Sequence, residues 1–217
     1  MQYDNDTQLS LNLWGQSALT SHLQIEKLSI PDAEIIFYPN YFTEEESDEI
    51  LQRLFIEVNW RQDKIKCYGK EIDLPRLTAW YGDTGKSYTY SNIAMNPIPW
   101  TPVLLFIKDR VEETAQISFN SVLINLYRNG KDSISWHSDD EPELGKYPII
   151  YSVSFGGERK LKFRHKFNKI LDKLELNLTN GSLLIMKDKT QEYWQHQIPK
   201  TSKPVMPRIN LTFRVIK

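Results

Sequence analysis

From about residue 120 onward the chain reads as a succession of short β-type runs. SVLINLYR, PIIYSVSF, RKLKFRHK, LDKLELNL, SLLIMK, EYWQHQI and PRINLTFRVI follow one another, separated by Asn-Gly, Gly-Gly and similar turn signals. Strands this short bury a face only by packing sheet on sheet. Seven or eight of them predict a sandwich or barrel. Upstream, AEIIFYPNYF reads as a strand and turn, and Thr43 opens TEEE, a Thr-x-x-Glu capping box. Ile50, Leu51, Leu54, Phe55 and Val58 follow at helical spacing. Thr101-Pro102 opens a second helix with Pro at its first position, and Val103, Leu104, Ile107 and Val111 form its buried stripe. Two helices ahead of the strands are expected to cover one side of the β structure.

Composition narrows the class further. The 217 residues suffice for a substantial core. We read residues 1–30 as a polar, irregular extension and 31–217 as a single domain, without internal repeats. No stretch approaches ~18 consecutive apolar residues, so no membrane span is expected. The N-terminus, MQYDNDTQLSLNLWGQS, lacks a basic region followed by an apolar run and is not read as a secretory signal. The single cysteine, Cys67, excludes an internal disulfide and fits a reducing compartment. No motif supplies it with a histidine base. Formal net charge is −1, so the whole chain does not announce a nucleic-acid partner. That near-neutral total conceals an acidic run, EEESDE (44–49), and a basic one, ERKLKFRHKFNK (158–169).

The last strand raises a sharper question. Read with period two, Ile209, Leu211, Phe213 and Val215 share one face, and Arg208, Asn210, Thr212 and Arg214 the other. In VLINLYR, Ile124 and Leu126 share a face opposite Asn125 and Tyr127. A solvated polar face is the plain explanation. If the polar faces point inward instead, two guanidiniums require anionic partners. Arginine binds planar carboxylates through two parallel hydrogen bonds, so a small dicarboxylate would satisfy both.

WHSDDE (136–141) places a histidine two residues before an aspartate, and a further histidine, His196, precedes the arginine strand. His-x-Asp alone is as consistent with an acidic surface turn. Taken together, His137, Asp139 and His196 make two imidazoles and one carboxylate, a set that occupies one face of octahedral Fe(II) and leaves three positions open.

With these residues in view, the chain resembles the AlkB family of Fe(II)/2-oxoglutarate-dependent nucleic-acid dealkylases. The resemblance rests on LINLY (123–127), WHSDDE (136–141), SVSFG (152–156), His196 and RINLTFR (208–214). PRLTAWYGDTGKSYTYS (75–91) is similar to the segment with which the double-strand-acting DNA members contact the damaged nucleotide. The resemblance implies a double-stranded β-helix, or jelly roll, of α+β, mainly β class. Two or more helices would lie on one side, with a nucleotide-recognition lid at about 60–100 and a jelly-roll core at about 120–217. It implies that His137, Asp139 and His196 bind iron and carry catalysis. Asn125, Tyr127, Arg208, Asn210, Thr212 and Arg214 would surround 2-oxoglutarate, with Arg208 and Tyr127 on its distal carboxylate and Arg214 and Asn125 at the end that chelates iron. Arg76, Tyr88, Tyr90, Ser91, Asp140 and Glu141 would meet the substrate base. Tyr68, in IKCYGKEID, matches by position and type a finger that fills the gap left by a flipped base.

The implied reaction couples 2-oxoglutarate decarboxylation, with O2, to hydroxylation of an N-methyl group and release of formaldehyde. The implied substrates are 1-methyladenine and 3-methylcytosine type bases in DNA, which is direct-reversal DNA repair. The implied protein is a monomer without a membrane partner, cytoplasmic in a bacterium and nuclear in a eukaryote. In RKLKFRHK, Lys160, Lys162, Arg164 and Lys166 share a face suited to a phosphate backbone, or to an ordinary exposed edge strand. Two other readings stay open: a 2-oxoglutarate oxygenase acting on methylated RNA or on protein, and a non-catalytic jelly-roll module that binds nucleic acid.

Overall fold

In the computed structural model, Arg208–Arg214 forms a strand of which every residue is buried, so both of its faces are covered. This decides the question that the alternation left open. The structure describes residues 23–67, 69–85, 88–90, 93–95 and 97–217; for 66, 67, 88–90 and 93–95 only the backbone is described. Tyr68 and Ser91 lie outside the described residues, as do the side chains of Tyr88 and Tyr90.

The strands, in chain order, are β1 (Glu26–Leu28), β2 (Glu34–Tyr38), β3 (Lys64–Cys67), β4 (Lys70–Asp73), β5 (Leu77–Gly82), β6 (Tyr88–Tyr90) and β7 (Ile93–Met95). After them come β8 (Ser121–Tyr127), β9 (Ile134–His137), β10 (Ile150–Gly156), β11 (Arg159–His165), β12 (Leu174–Leu178), β13 (Ser182–Lys187), β14 (Trp194–Ile198) and β15 (Arg208–Arg214). A seven-stranded sheet runs β1-β2-β13-β10-β15-β8-β5 and a four-stranded sheet runs β12-β11-β14-β9, with every pairing antiparallel. The two hairpins β3-β4 and β6-β7 stand apart from these sheets.

Helices α1 (Glu44–Glu57) and α2 (Pro102–Ala115) cover the outer face of the large sheet. The capping box is realised: Glu46 N–H donates to Thr43 Oγ1 and the Glu46 side chain accepts from Thr43 N–H. Val103, Leu104, Ile107 and Val111 of α2 pack with Ile209, Leu211 and Phe213 of β15 and with Ile124 and Leu126 of β8. Gly181 fixes how α1 meets the sheet. Its φ of +73° is left-handed, and a Cβ there would sit 2.3 Å from Ser47 Oγ and 2.7 Å from the Phe42 carbonyl. A second cluster, including Trp80, Leu123, Leu161, Phe163, Leu184 and Trp194, fills the space between the two sheets. No helix among the described residues is long and apolar enough to cross a membrane.

Four expectations are corrected. Residues 26–28 form β1, paired to β2, where an irregular segment was expected. Phe55 is 40% exposed, because α1 turns Ser47, Ile50 and Leu54 onto the sheet instead. EYWQHQI is strand only from Trp194; Thr190–Tyr193 is a helical turn, α3, stopped by the extended Trp194. The basic strand β11 is not an edge, since it lies between β12 and β14. Its outward cations have partners: Lys160 and Lys162 both pair with Glu175, and Arg164 bonds Gln195 and lies over the Trp136 ring.

Candidate active site

The pocket opens between the two sheets. It is lined by inward residues of β8 to β15, Leu161 of β11 and Leu178 of β12 included. Because side chains alternate along a strand, covering one face of β15 with helices turns Arg208, Asn210, Thr212 and Arg214 into this pocket. β8 contributes Asn125 and Tyr127 by the same alternation, and Arg208 and Tyr127 are directly opposite in the β15–β8 register.

At one end the register of β14 against β9 sets His196 across from His137, with ring centroids 4.2 Å apart. Asp139, just beyond β9, joins them, and one ligand atom from each residue falls within 4.8 Å of the others. His137 Nδ1 donates to the Ser135 carbonyl at 2.8 Å, which leaves Nε2 as its lone-pair donor. Burial first, and the neighbouring His137 second, push the His196 imidazole down to about 3 against the pull of Asp139. Burial likewise lowers His137, opposed by Asp139. Burial would raise the Asp139 carboxyl, but Arg214, His196 and His137 together hold it below the usual carboxylate range. Near neutral pH the trio is therefore two neutral imidazoles and one carboxylate, the protonation state that metal ligation requires.

Arg214 Nη2 bonds Asp139 Oδ1, while Asp139 Oδ2 lies 3.7 Å from His196 Nε2. The backbone of Asp139 is held as well: its N–H donates to Gln191 Oε1 at 2.9 Å. Ser138 Oγ bonds the Trp194 carbonyl at 2.8 Å, tying the turn that carries Asp139 to the residue that starts β14.

The other end of the pocket is built around Arg208, which is 1% exposed. Its Nη2 donates to Ser154 Oγ at 2.9 Å and its guanidinium lies 5.3 Å from the Tyr127 ring centroid. Nε and Nη1 find no acceptor among the described residues. Burial pulls this guanidinium down to about 10, opposed by Tyr127. A buried guanidinium with N–H groups that the described residues do not meet can donate to a carboxylate of an entering ligand. Between the two ends, Asn210 Nδ2 bonds Ser152 Oγ and the Val153 carbonyl, and Thr212 Oγ1 bonds Asn210 Oδ1. The residues present therefore fit both a divalent metal and a dicarboxylate.

The remaining candidates are placed less centrally. Arg76 is buried and donates from Nε to Asn125 Oδ1 at 2.7 Å, behind the pocket wall. Asp140 is exposed and pairs with Lys166 at 3.0 Å. Glu141 precedes a short 3-10 turn, Pro142–Leu144. Sequence reasoning passed over Gln191, Ser152 and Ser154. The two serines lie in SVSFG, which entered the resemblance without a role for either, and each of the three acts on a residue 52 to 58 positions away.

Comparison with known proteins agrees with this geometry. Residues 34–214 match the model of the 2OG-Fe(II) oxygenase superfamily. Alpha-ketoglutarate-dependent dioxygenase alkB homolog 3 of Homo sapiens is 44% identical over 192 residues, 85% of this chain and 66% of that protein. DNA oxidative demethylase ALKBH2 of Mus musculus is 40% identical over 204 residues, covering 90% of this chain and 83% of that one. The chain thus spans about two thirds of the length of the alkB homolog 3 relative. The solved structure of OsALKBH1 superposes with a TM-score of 0.62 at 16% identity, covering 88% of this chain and 100% of that one, a likeness of fold.

Proposed function

Because the chain belongs to the AlkB family within the 2OG-Fe(II) oxygenase superfamily, we propose that it oxidatively demethylates N-alkylated bases of the 1-methyladenine and 3-methylcytosine type in DNA. The observation that carries this reading is one pocket with a neutral His-Asp-His cluster at one end and a carboxylate-seeking guanidinium at the other. His137 Nε2, Asp139 and His196 would hold Fe(II), and Arg208 with Tyr127 would hold the distal carboxylate of 2-oxoglutarate. Bound Fe(II), with 2-oxoglutarate and O2, supplies hydroxylation of an N-methyl carbon, and the resulting hydroxymethyl base releases formaldehyde.

The chain's own contribution is placement. Arg208 and Arg214 fix the two ends of the pocket, and the β15–β8 register holds them on one strand face. Arg214 keeps Asp139 ionised at the pH where both imidazoles are neutral. A methylated Watson–Crick edge is hidden in a duplex, so the base has to leave the stack to reach the pocket. Bases of this type carry positive charge, which the acids at 140 and 141 favour; Asp140 does so with Lys166 already on one of its oxygens. An intracellular monomer, in the cytoplasm of a bacterium or the nucleus of a eukaryote, accords with this role.

DNA rather than RNA as the polymer is supported by the ALKBH2 relatives, named DNA oxidative demethylases at 40–43% identity. The test is a competition between 3-methylcytosine-containing DNA and RNA oligonucleotides with Fe(II), 2-oxoglutarate and O2. Formaldehyde and succinate released together, faster from DNA, is the expected result. Preference for RNA would reassign the polymer, and succinate without formaldehyde on either would overturn base demethylation.

A further inference from the structure

The turn that carries the metal ligand is fastened to a part of the chain with no ligand of its own. Gln191 is 1% exposed in α3, the helical turn ahead of β14. Its side-chain oxygen accepts the Asp139 N–H at 2.9 Å and its side-chain nitrogen lies 3.4 Å from Met186 Sδ. The amide orientation follows from chemistry, since a backbone N–H can be met only by the oxygen. The Gln191 carbonyl in turn accepts Lys166 Nζ at 2.8 Å, and the same ammonium pairs with Asp140 at 3.0 Å. Residues 139 and 140 are therefore both tied to residue 191.

α3 is itself anchored. Thr190 Oγ1 accepts the Glu34 N–H and donates to the Lys187 carbonyl, joining the turn to β2 and to the end of β13. The Asp139 carboxylate is thus positioned from two directions: Arg214 on Oδ1, and the backbone through Gln191. Arg214 by itself fixes one oxygen; with the backbone also fixed, Oδ2 is held toward His196 Nε2 at 3.7 Å.

We propose that Gln191 is a positioning residue for the metal, acting through the Asp139 backbone to preset the carboxylate that completes the His137–His196 pair. The proposal rests on the Fe(II) reading of the pocket. Gln191 touches neither substrate nor metal, so its removal should be read first in metal affinity. Loss of groups that orient ligands from behind weakens metal binding by about 10–100-fold.

The test is calorimetric titration of the metal-free protein with Mn(II), a divalent ion that takes the same oxygen and nitrogen donors. Wild type is compared with Gln191→Leu, similar in size without an acceptor, and Gln191→Glu, which keeps an oxygen in place. Thermal unfolding of each metal-free protein is followed in parallel. We expect Gln191→Leu to bind Mn(II) about 10–100-fold more weakly while unfolding cooperatively, and Gln191→Glu to stay within about threefold of wild type. Wild-type affinity in Gln191→Leu overturns the proposal, and so does an equal loss in both variants. If Gln191→Leu does not fold, Gln191→Asn, with its amide one methylene short, is measured instead; wild-type affinity there is equally contrary. Failure of the wild-type protein to bind Mn(II) would sink the iron reading itself, a result distinct from a variant that matches wild type.

Discussion

The two ends of the pocket solve the same electrostatic problem in opposite ways. At the His137 end every charge has a protein counterpart: Asp139 faces Arg214 on one oxygen and His196 on the other, and both imidazoles are kept neutral. At the Arg208 end a fully buried guanidinium bonds Ser154 and lies over the Tyr127 ring, with two N–H positions that meet no acceptor among the described residues. Among the described residues no carboxylate bridges to Arg208. One end is complete as built, while the other is shaped for an anion that the chain does not supply. A cation buried without a counter-ion is destabilising, so its presence argues for a ligand that arrives charged.

The contrast can be broken most severely at the metal end. His137→Ala, Asp139→Ala or His196→Ala is expected to abolish formaldehyde release, since each removes one of the three proposed protein ligands to the metal. Full turnover in any one of them would disprove the iron assignment. Asp139→Ala should also unfold more easily without metal, by roughly 3–5 kcal/mol, because it takes the carboxylate from a buried ion pair with Arg214; chemical denaturation measures this.

Acid sharpens the same point. The His196 pKa is about 3 in the folded protein against 6.5 for an ordinary histidine. Between those values the unfolded chain takes up a proton that the folded one refuses, so stability falls as pH drops below about 6.5. The depressed Asp139 carboxylate adds a further loss at lower pH, as it is protonated. Denaturant midpoints of the metal-free protein should therefore decline steadily between neutral pH and about pH 4; a flat profile would contradict the neutral-imidazole assignment. At the Arg208 end the sign reverses. Arg208→Met removes an uncompensated buried cation and should stabilise the ligand-free protein by about 1 kcal/mol while impairing 2-oxoglutarate binding.

The sequence foretold the parts of this picture that repeat locally. Period-two alternation in β15 and β8 grouped Arg208, Asn210, Thr212 and Arg214 on one face, though only the burial of the strand turned that face inward, and the Thr43 and Thr101 caps gave both helix starts. His137, Asp139 and His196 were legible as ligand types, although their meeting depends on the pairing of β14 with β9. What could not be read depends on contacts distant in sequence. Ser154 reaches Arg208 through the β10–β15 register, and Gln191 reaches Asp139 through a helical turn that interrupts a strand-like run. Phe55 misled because helical periodicity marks a stripe without saying where its edge meets water. The basic face of β11 looked free because Glu175, its partner, lies on the next strand.

On this reading the Arg208 guanidinium, bonded to Ser154 but facing no carboxylate among the described residues, selects a dicarboxylate. The direct measurement is calorimetric titration of the Mn(II)-loaded protein with 2-oxoglutarate and with 2-oxobutyrate, which keeps the 2-oxo acid but lacks the distal carboxylate. Wild type should prefer 2-oxoglutarate by about 10²–10³-fold, and Arg208→Ala should erase that preference by losing affinity for 2-oxoglutarate alone. Equal binding of the two acids by wild type, or a preference that survives in Arg208→Ala, would contradict it.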